Sequence, residues 1–130
     1  MQMTFQIYQN AKISGKLVED LREKVGWERC DGEYDFILER SHFHLSILEG
    51  GALVGFVNVI SDGKSFAFLC DLMVNPLLGG QGAGRALVEL ASRLLREQGV
   101  RTVQVVFDPA LEGFYKVCGF EVYAGGSLRT

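Results

Sequence analysis

Cysteine is scarce in this chain: Cys30, Cys70 and Cys118 are the only three in 130 residues. They are widely spaced and form no Cys-x-x-Cys pair, which argues against a disulfide framework and a cysteine zinc site and points to a reducing cytoplasm. No apolar run approaches the roughly 18 residues that a membrane-spanning helix needs, so no membrane association is expected. The opening MQMTFQIYQN lacks the basic segment and apolar stretch of a secretory signal. There is no basic excess either: 13 Lys and Arg stand against 16 Asp and Glu, for a net charge of −3. That balance speaks against a nucleic-acid partner. Internal repeats and low-complexity segments are also missing. What remains is a chain with 48% hydrophobic and 22% charged residues, enough to bury a core, and of a length that suits one domain over residues 1–130.

The pattern along the chain alternates between strand and helix periods. Residues 4–8 read as a short strand. Residues 13–25 read as an amphipathic helix, with Leu17, Val18, Leu21 and Val25 near a 3.6-residue spacing, Ser14 as its cap and Gly26 as its end. Residues 27–40 are mixed and acidic, a loop with one helical turn at 34–39. Three strands follow at 43–48, 53–60 and 66–74, joined at Glu49-Gly50-Gly51 and Ser61-Asp62-Gly63-Lys64. Asp-Gly in the second junction suits a two-residue hairpin turn. Residues 85–98 form a strong helix, with Leu87, Leu90, Ala91, Leu94 and Leu95 on one face and Gly99 as its stop. A buried-type strand at 100–107, a short helix at 110–118 and a last strand at 120–123 complete the order. Strand, helix, strand implies a parallel crossover. The expected fold is α+β in three layers, a mixed, mostly antiparallel sheet flanked by helices.

The run Val74-Asn75-Pro76-Leu77-Leu78-Gly79-Gly80-Gln81-Gly82-Ala83-Gly84-Arg85 joins a strand to the long helix. Four of the six residues from Gly79 to Gly84 are glycine, which lets several backbone N–H groups face one centre. The helix N-terminus adds about half a positive charge, so the turn suits a phosphate or pyrophosphate. A Walker A loop is excluded because Arg85 and Ala86 stand where Lys and Ser or Thr are needed. The dinucleotide fingerprint fails too, since Arg85 takes the place of its third glycine and a meander precedes it. A flexible linker is the plain alternative, but linkers are not normally held between an apolar strand and an amphipathic helix. His42 and His44 alternate with Phe43 and would share a strand face, yet two ligands without a third do not make a metal site. Trp27 reads as a core residue, and Cys70 and Cys118 as small apolar ones.

Two segments carry a resemblance. Leu72-Met73-Val74-Asn75-Pro76 followed by Gly79 to Gly84 resembles the acetyl-CoA-binding motif of the GNAT family of N-acetyltransferases, whose pattern is Gln/Arg-x-x-Gly-x-Gly/Ala. Gly82 and Gly84 match, and Gly79 stands where the family usually has Gln or Arg. Phe114-Tyr115-Lys116-Val117-Cys118-Gly119-Phe120 resembles the family's Phe-Tyr-x-x-x-Gly-Phe signature. The resemblance covers nearly the whole chain. It implies an enzyme that moves an acetyl group from acetyl-CoA, as cosubstrate and without a metal, directly to a primary amine. It assigns the cofactor to Leu72, Met73, Val74, Gly79, Gly80, Gln81, Gly82, Ala83, Gly84 and Arg85, with Asp108 in the place of an Asn that contacts the pantetheine arm. It puts Tyr115 at the CoA sulfur and an oxyanion donor near Met73. Asp71 is the leading candidate for the base, ahead of Glu33, Asp35 and Glu39.

The family usually closes with two strands, whereas only 125–130 remain after Tyr123. A very short or absent last strand, or one supplied by a partner, is therefore expected, and with it a possible homodimer. That feature and Gly79 motivate the alternative reading of a non-catalytic acyl-CoA-binding regulatory module. The acceptor stays open among a protein terminus, polyamine, amino sugar, antibiotic and arylalkylamine, with 27–40 as the segment that decides.

Overall fold

A computed structural model describes residues 5–130; Thr4 of the expected first strand lies outside them. The elements are β1 (Tyr8–Gln9), α1 (Gly15–Lys24), α2 (Tyr34–Arg40), β2 (Phe43–Glu49), β3 (Ala52–Ser61), β4 (Phe66–Val74), α3 (Ala83–Glu97), β5 (Thr102–Val105) and α4 (Glu112–Val117). Short 3-10 turns at Pro76–Leu78 and Pro109–Leu111 precede α3 and α4. The sheet runs in the order β1-β2-β3-β4-β5. Its first three pairings are antiparallel, and β4 with β5 is parallel. The mixed, mostly antiparallel sheet and its helix layers match the expectation.

Both faces of the sheet are covered. On one face, Phe43, Leu45, Val57, Val59, Ala67 and Leu69 pack with Leu87, Val88, Ala91 and Leu95 of α3. On the other, Phe56 and Met73 pack with Val18 and Leu21 of α1 and Tyr34 of α2. This explains why β3 reads as a nearly unbroken apolar run, and why His44 and Ser46, the polar positions that alternate along β2, are buried as well. Each buried Leu, Val or Phe side chain stabilises the fold by about 1.5–3 kcal/mol relative to exposure. The helices also touch through backbone. A Cβ at Gly15 would lie 2.5 Å from the Asp35 nitrogen, so only glycine fits where α1 meets α2. The Gly15 N–H donates to Asp35 Oδ1 at 2.6 Å, and the side chain of Ser14 makes no cap bond.

Several expected elements differ. The helical turn in the 27–40 segment is a full helix, α2. Residues 120–123 form no strand: Phe120 packs its ring against Tyr115, and the Tyr123 hydroxyl meets Gln104 Nε2 at 2.9 Å, so side chains rather than a backbone ladder hold this segment beside β5. The β3–β4 connection spans residues 62–65, not a two-residue turn. Asp62 explains the longer loop, because its Oδ1 accepts from the amides of Lys64, Ser65 and Phe66 and its Oδ2 from Ser65 Oγ. Trp27 is half-exposed instead of core. His42 and His44 do not share a face, because β2 begins at Phe43. His42 Nε2 meets Gln98 Oε1 at 2.7 Å, while His44 lies against Phe56 on the other side of the sheet. No helix among the described residues is long and apolar enough to cross a membrane.

The hydrogen bonds from Ser65 Oγ and then from the loop amides hold the Asp62 carboxyl well below the usual carboxylate range. A depressed carboxyl stabilises the fold above its unfolded value and loses that contribution as pH falls toward the folded one. Thermal melts of Asp62→Ala should therefore fall below wild type at pH 7, and the gap should close as pH drops below about 4. A gap that persists unchanged at pH 2.5 would show that the loop is held by something other than the charged carboxylate.

Candidate functional site

The parallel ladder between β4 and β5 lasts four residue pairs, from Phe66–Thr102 to Leu69–Val105. Beyond Leu69, β4 continues to Val74 while β5 turns away. The antiparallel pairing of β4 with β3 persists to Gly55–Val74. Residues 70–74 thus keep one paired edge and expose the other, with no backbone partner on that side among the described residues. An open strand edge is a template for an extended, amide-bearing molecule.

The same stretch carries a bulge. Phe56 faces Met73 and Asn58 faces Cys70, so β4 spends one residue more than β3. Asp71 absorbs the extra length at φ 56°, in the left-handed region. For a residue with a side chain that conformation costs about 1–2 kcal/mol. Two bonds fasten it. Arg22 Nη1 donates to Asp71 Oδ1 at 3.1 Å, and the Tyr34 hydroxyl donates to Oδ2 at 2.8 Å. Burial, reinforced by the Asp71 charge, raises the Tyr34 phenol well above its ordinary value, so it stays a donor. Arg22 is fixed in turn. Its Nε donates to the Glu28 carbonyl at 2.6 Å, and its guanidinium lies 5.4 Å from the ring centres of both Trp27 and Tyr34.

The glycine turn follows directly. Asn75 anchors it: its amide donates to Val54 O at 2.8 Å, and its side chain accepts from Leu77 N at 3.0 Å. The Gly79 and Gln81 amides close the turn onto Pro76 and Leu78 carbonyls at 3.0 and 3.3 Å. Gly80 and Gly82 adopt φ 76° and 85°, and Gly82 is the N-cap of α3. Among the described residues, the amides of Gly80, Gly82, Ala83, Gly84 and Arg85 donate to no protein acceptor. No acidic side chain occupies the first turn of α3. These five donors at a helix N-terminus form an anion seat, from which Gly79 and Gln81 are excluded as amide donors by their own internal bonds. Arg85 lies across the helix surface, its Nε on Glu89 Oε1 at 2.7 Å.

Helix α4 closes the far side. A Cβ at Gly84 would lie 3.4 Å from Phe114 Cζ and 3.7 Å from Val74 Cγ2, so α3, α4 and β4 converge there. Tyr115 is buried, stacked on Phe107 at 4.6 Å and edge-on to Phe114 and Phe120 at 4.9 and 5.6 Å. Burial, with a contribution from Cys118, pushes its phenol up to about 12. No bond to its hydroxyl exists among the described residues, and it is absent from the sealed unpartnered polar atoms there, which are His44 Nδ1 and Ser46 Oγ.

The other candidates are spread differently. Asp108 caps the turn before α4 through Ala110 N at 2.9 Å. Leu72 and Val74 pack toward α3, and Met73 toward α1. Asp35 is bonded to Gly15, while Glu33 and Glu39 are exposed. Burial, then the Asp71 charge, pushes the Cys70 thiol up to about 11, which makes it a poor nucleophile. A cavity of about 460 Å³ lies between β5 and residues 120–127, apart from the glycine turn. Sequence reasoning missed Arg22 and Tyr34. Arg22 carried no signal in the sequence and Tyr34 only opened the expected helical turn at 34–39; the tertiary fold brings them to Asp71.

Comparison with known proteins shows the family and the fold. Residues 2–120 match the acetyltransferase (GNAT) family. An uncharacterized N-acetyltransferase of Pyropia yezoensis is 28% identical over 116 residues, covering 85% of this chain and 67% of that protein. A same-named protein of Gracilaria tenuistipitata var. liui is 29% identical, and the chain spans 64% of its length. Among solved structures, a GNAT-family acetyltransferase of Streptococcus pneumoniae superposes with a TM-score of 0.78 at 26% identity, with 98% of each chain covered. AAC(6')-Iy bound to a CoA-acetylneamine bisubstrate analog shares the fold, with a TM-score of 0.76 at 18% identity and 98% of each chain covered.

The convergence at Gly84 is testable. Gly84→Ala should be close to neutral, since its methyl only reaches ordinary contact distance. Gly84→Leu must displace the Phe114 ring and, if the glycine turn holds an acyl-CoA, should weaken its binding about tenfold or more, read by calorimetric titration. Equal affinities in the two variants would mean that this corner does not border the ligand.

Proposed function

The chain belongs to the GNAT acetyltransferase family, and on that premise we propose that it transfers the acetyl group of acetyl-CoA to a primary amine by direct attack in a ternary complex. The observation that carries the reading is the five-amide seat at the start of α3 leading into the open edge of β4. In this reading the CoA pyrophosphate occupies the seat. The pantetheine arm, an extended chain with two amides, runs along residues 70–74 as an added strand would. The thioester then sits between Met73 and Tyr115.

The chemistry makes specific demands on these residues. An alkylamine with a pKa near 10.4 is neutral in roughly one molecule in two thousand at pH 7, so the site must take a proton. Asp71 receives it, directly or through water, on the lone pairs left by Arg22 and Tyr34. The neutral nitrogen forms the new C–N bond, and the carbonyl oxygen takes up negative charge that an N–H near Met73 stabilises. Collapse breaks the C–S bond, the electron pair leaves on the CoA thiolate, and the second proton of the attacking nitrogen passes to water, leaving the neutral amide. Tyr115, pushed up to about 12, stays protonated throughout the working range. Handing its proton to a thiolate of pKa about 8.5 is uphill by roughly 5 kcal/mol. Its role is therefore a hydrogen bond to the departing sulfur rather than full transfer.

Thiol release assayed against a panel of polyamines, amino sugars, arylalkylamines and peptide termini tests the reading. Tyr115→Phe should lower kcat by about 10²–10³ and leave acetyl-CoA affinity within about twofold. Wild-type kcat should rise with pH as the amine deprotonates, with no loss from Tyr115 below pH 10 or so. Tight acetyl-CoA binding without turnover of any amine would replace this reading with a non-catalytic acyl-CoA-binding module.

A further inference from the structure

We infer that Arg22 and Tyr34 are positioning residues for the acyl-transfer step, acting as a clamp on Asp71 that holds the β4 bulge and so aims the backbone at Leu72 and Met73. The inference rests on the reading of this cleft as the acyl-CoA site. Asp71 occupies a backbone conformation that residues with side chains rarely adopt, at the one place where β4 is out of step with β3. Nothing in the local sequence dictates that conformation. Its two oxygens are held separately, Oδ1 by Arg22 of α1 and Oδ2 by Tyr34 of α2, from 49 and 37 residues away.

The clamp is stiff. The Arg22 side chain is 13% exposed and is bonded to the Glu28 carbonyl as well as to Asp71 and Tyr34. Its guanidinium also contacts the rings of Trp27 and Tyr34. Met73, two residues beyond Asp71, is buried under the same helices. On its other edge this stretch has no strand to hold it, because β5 has already departed. The direction of the Leu72 and Met73 peptide groups is therefore set from the α1–α2 side. The same two bonds fix which Asp71 lone pairs face an incoming amine.

Tyr34→Phe removes one arm with little change of shape, Arg22→Met removes the other, and Arg22→Lys restores its charge. Kinetics with an amine that wild type acetylates should show kcat reduced about tenfold to a hundredfold in Tyr34→Phe and Arg22→Met, with acetyl-CoA affinity within about twofold. Arg22→Lys should recover part of the loss. The double variant should be no worse than about the worse single one, since both arms act on one carboxylate. In ¹H–¹⁵N spectra of the unliganded protein, the Leu72 and Met73 amides should move in each variant that loses an arm. Unchanged kcat in a folded Tyr34→Phe protein, or Leu72 and Met73 resonances left in place, overturns the inference. If wild type neither binds acetyl-CoA nor acetylates any amine, the proposed function fails, and the amide shifts alone then decide whether the clamp sets the bulge.

Discussion

Past Leu69 and Val105 the parallel strands β4 and β5 part, and, among the described residues, 70–74 are left with partners on one side only. A half-buried strand edge leaves its amides and carbonyls to a ligand or to water. Three other features are arranged around that gap. Among the described residues, the glycine turn brings five unpaired amides to its far end, α4 packs Phe114 beside Gly84, and α3 spans from the turn back over the sheet. The site is thus the place where sheet pairing stops.

Two layers serve this strand in different ways. On the α3 face the contribution is electrostatic and backbone-borne: a helix N-terminus with no acidic side chain in its first turn. On the α1–α2 face it is a side-chain network, in which Arg22 and Tyr34 reach Asp71. The pair Arg22–Asp71 is partly buried, with side-chain exposures of 13% and 22%. Such a pair contributes little net stability once desolvation is counted, but removing one partner leaves a charge uncompensated. That asymmetry suits a device that fixes geometry rather than one that adds stability.

The sequence foretold the layer order and the glycine turn before α3 because both have local causes. Leu87, Ala91 and Leu95 recur at helical spacing and are buried; Gly80 and Gly82 take the positive φ that their lack of a side chain permits. The bulge had no such signature. Asp71 in an apolar run gives no hint of a left-handed turn, since its cause lies in pairing with β3 and in residues of α1 and α2. For the same reason nothing singled out Arg22, and Tyr34 stood only as the start of a helical turn. Residues 120–123 have strand-like composition yet make no ladder, because Phe120 is drawn into the Tyr115 cluster instead. Periodicity reports which face is buried; it does not report register.

Calorimetric titration with acetyl-CoA, set against Mg²⁺-ATP, tests the central claim that the strand gap and the glycine turn together form an acyl-CoA site. The account predicts micromolar binding of acetyl-CoA and no heat from ATP, because the seat is followed by an open strand edge and lacks the lysine and hydroxyl of a nucleotide loop. Binding of Mg²⁺-ATP with no response to acetyl-CoA would contradict it.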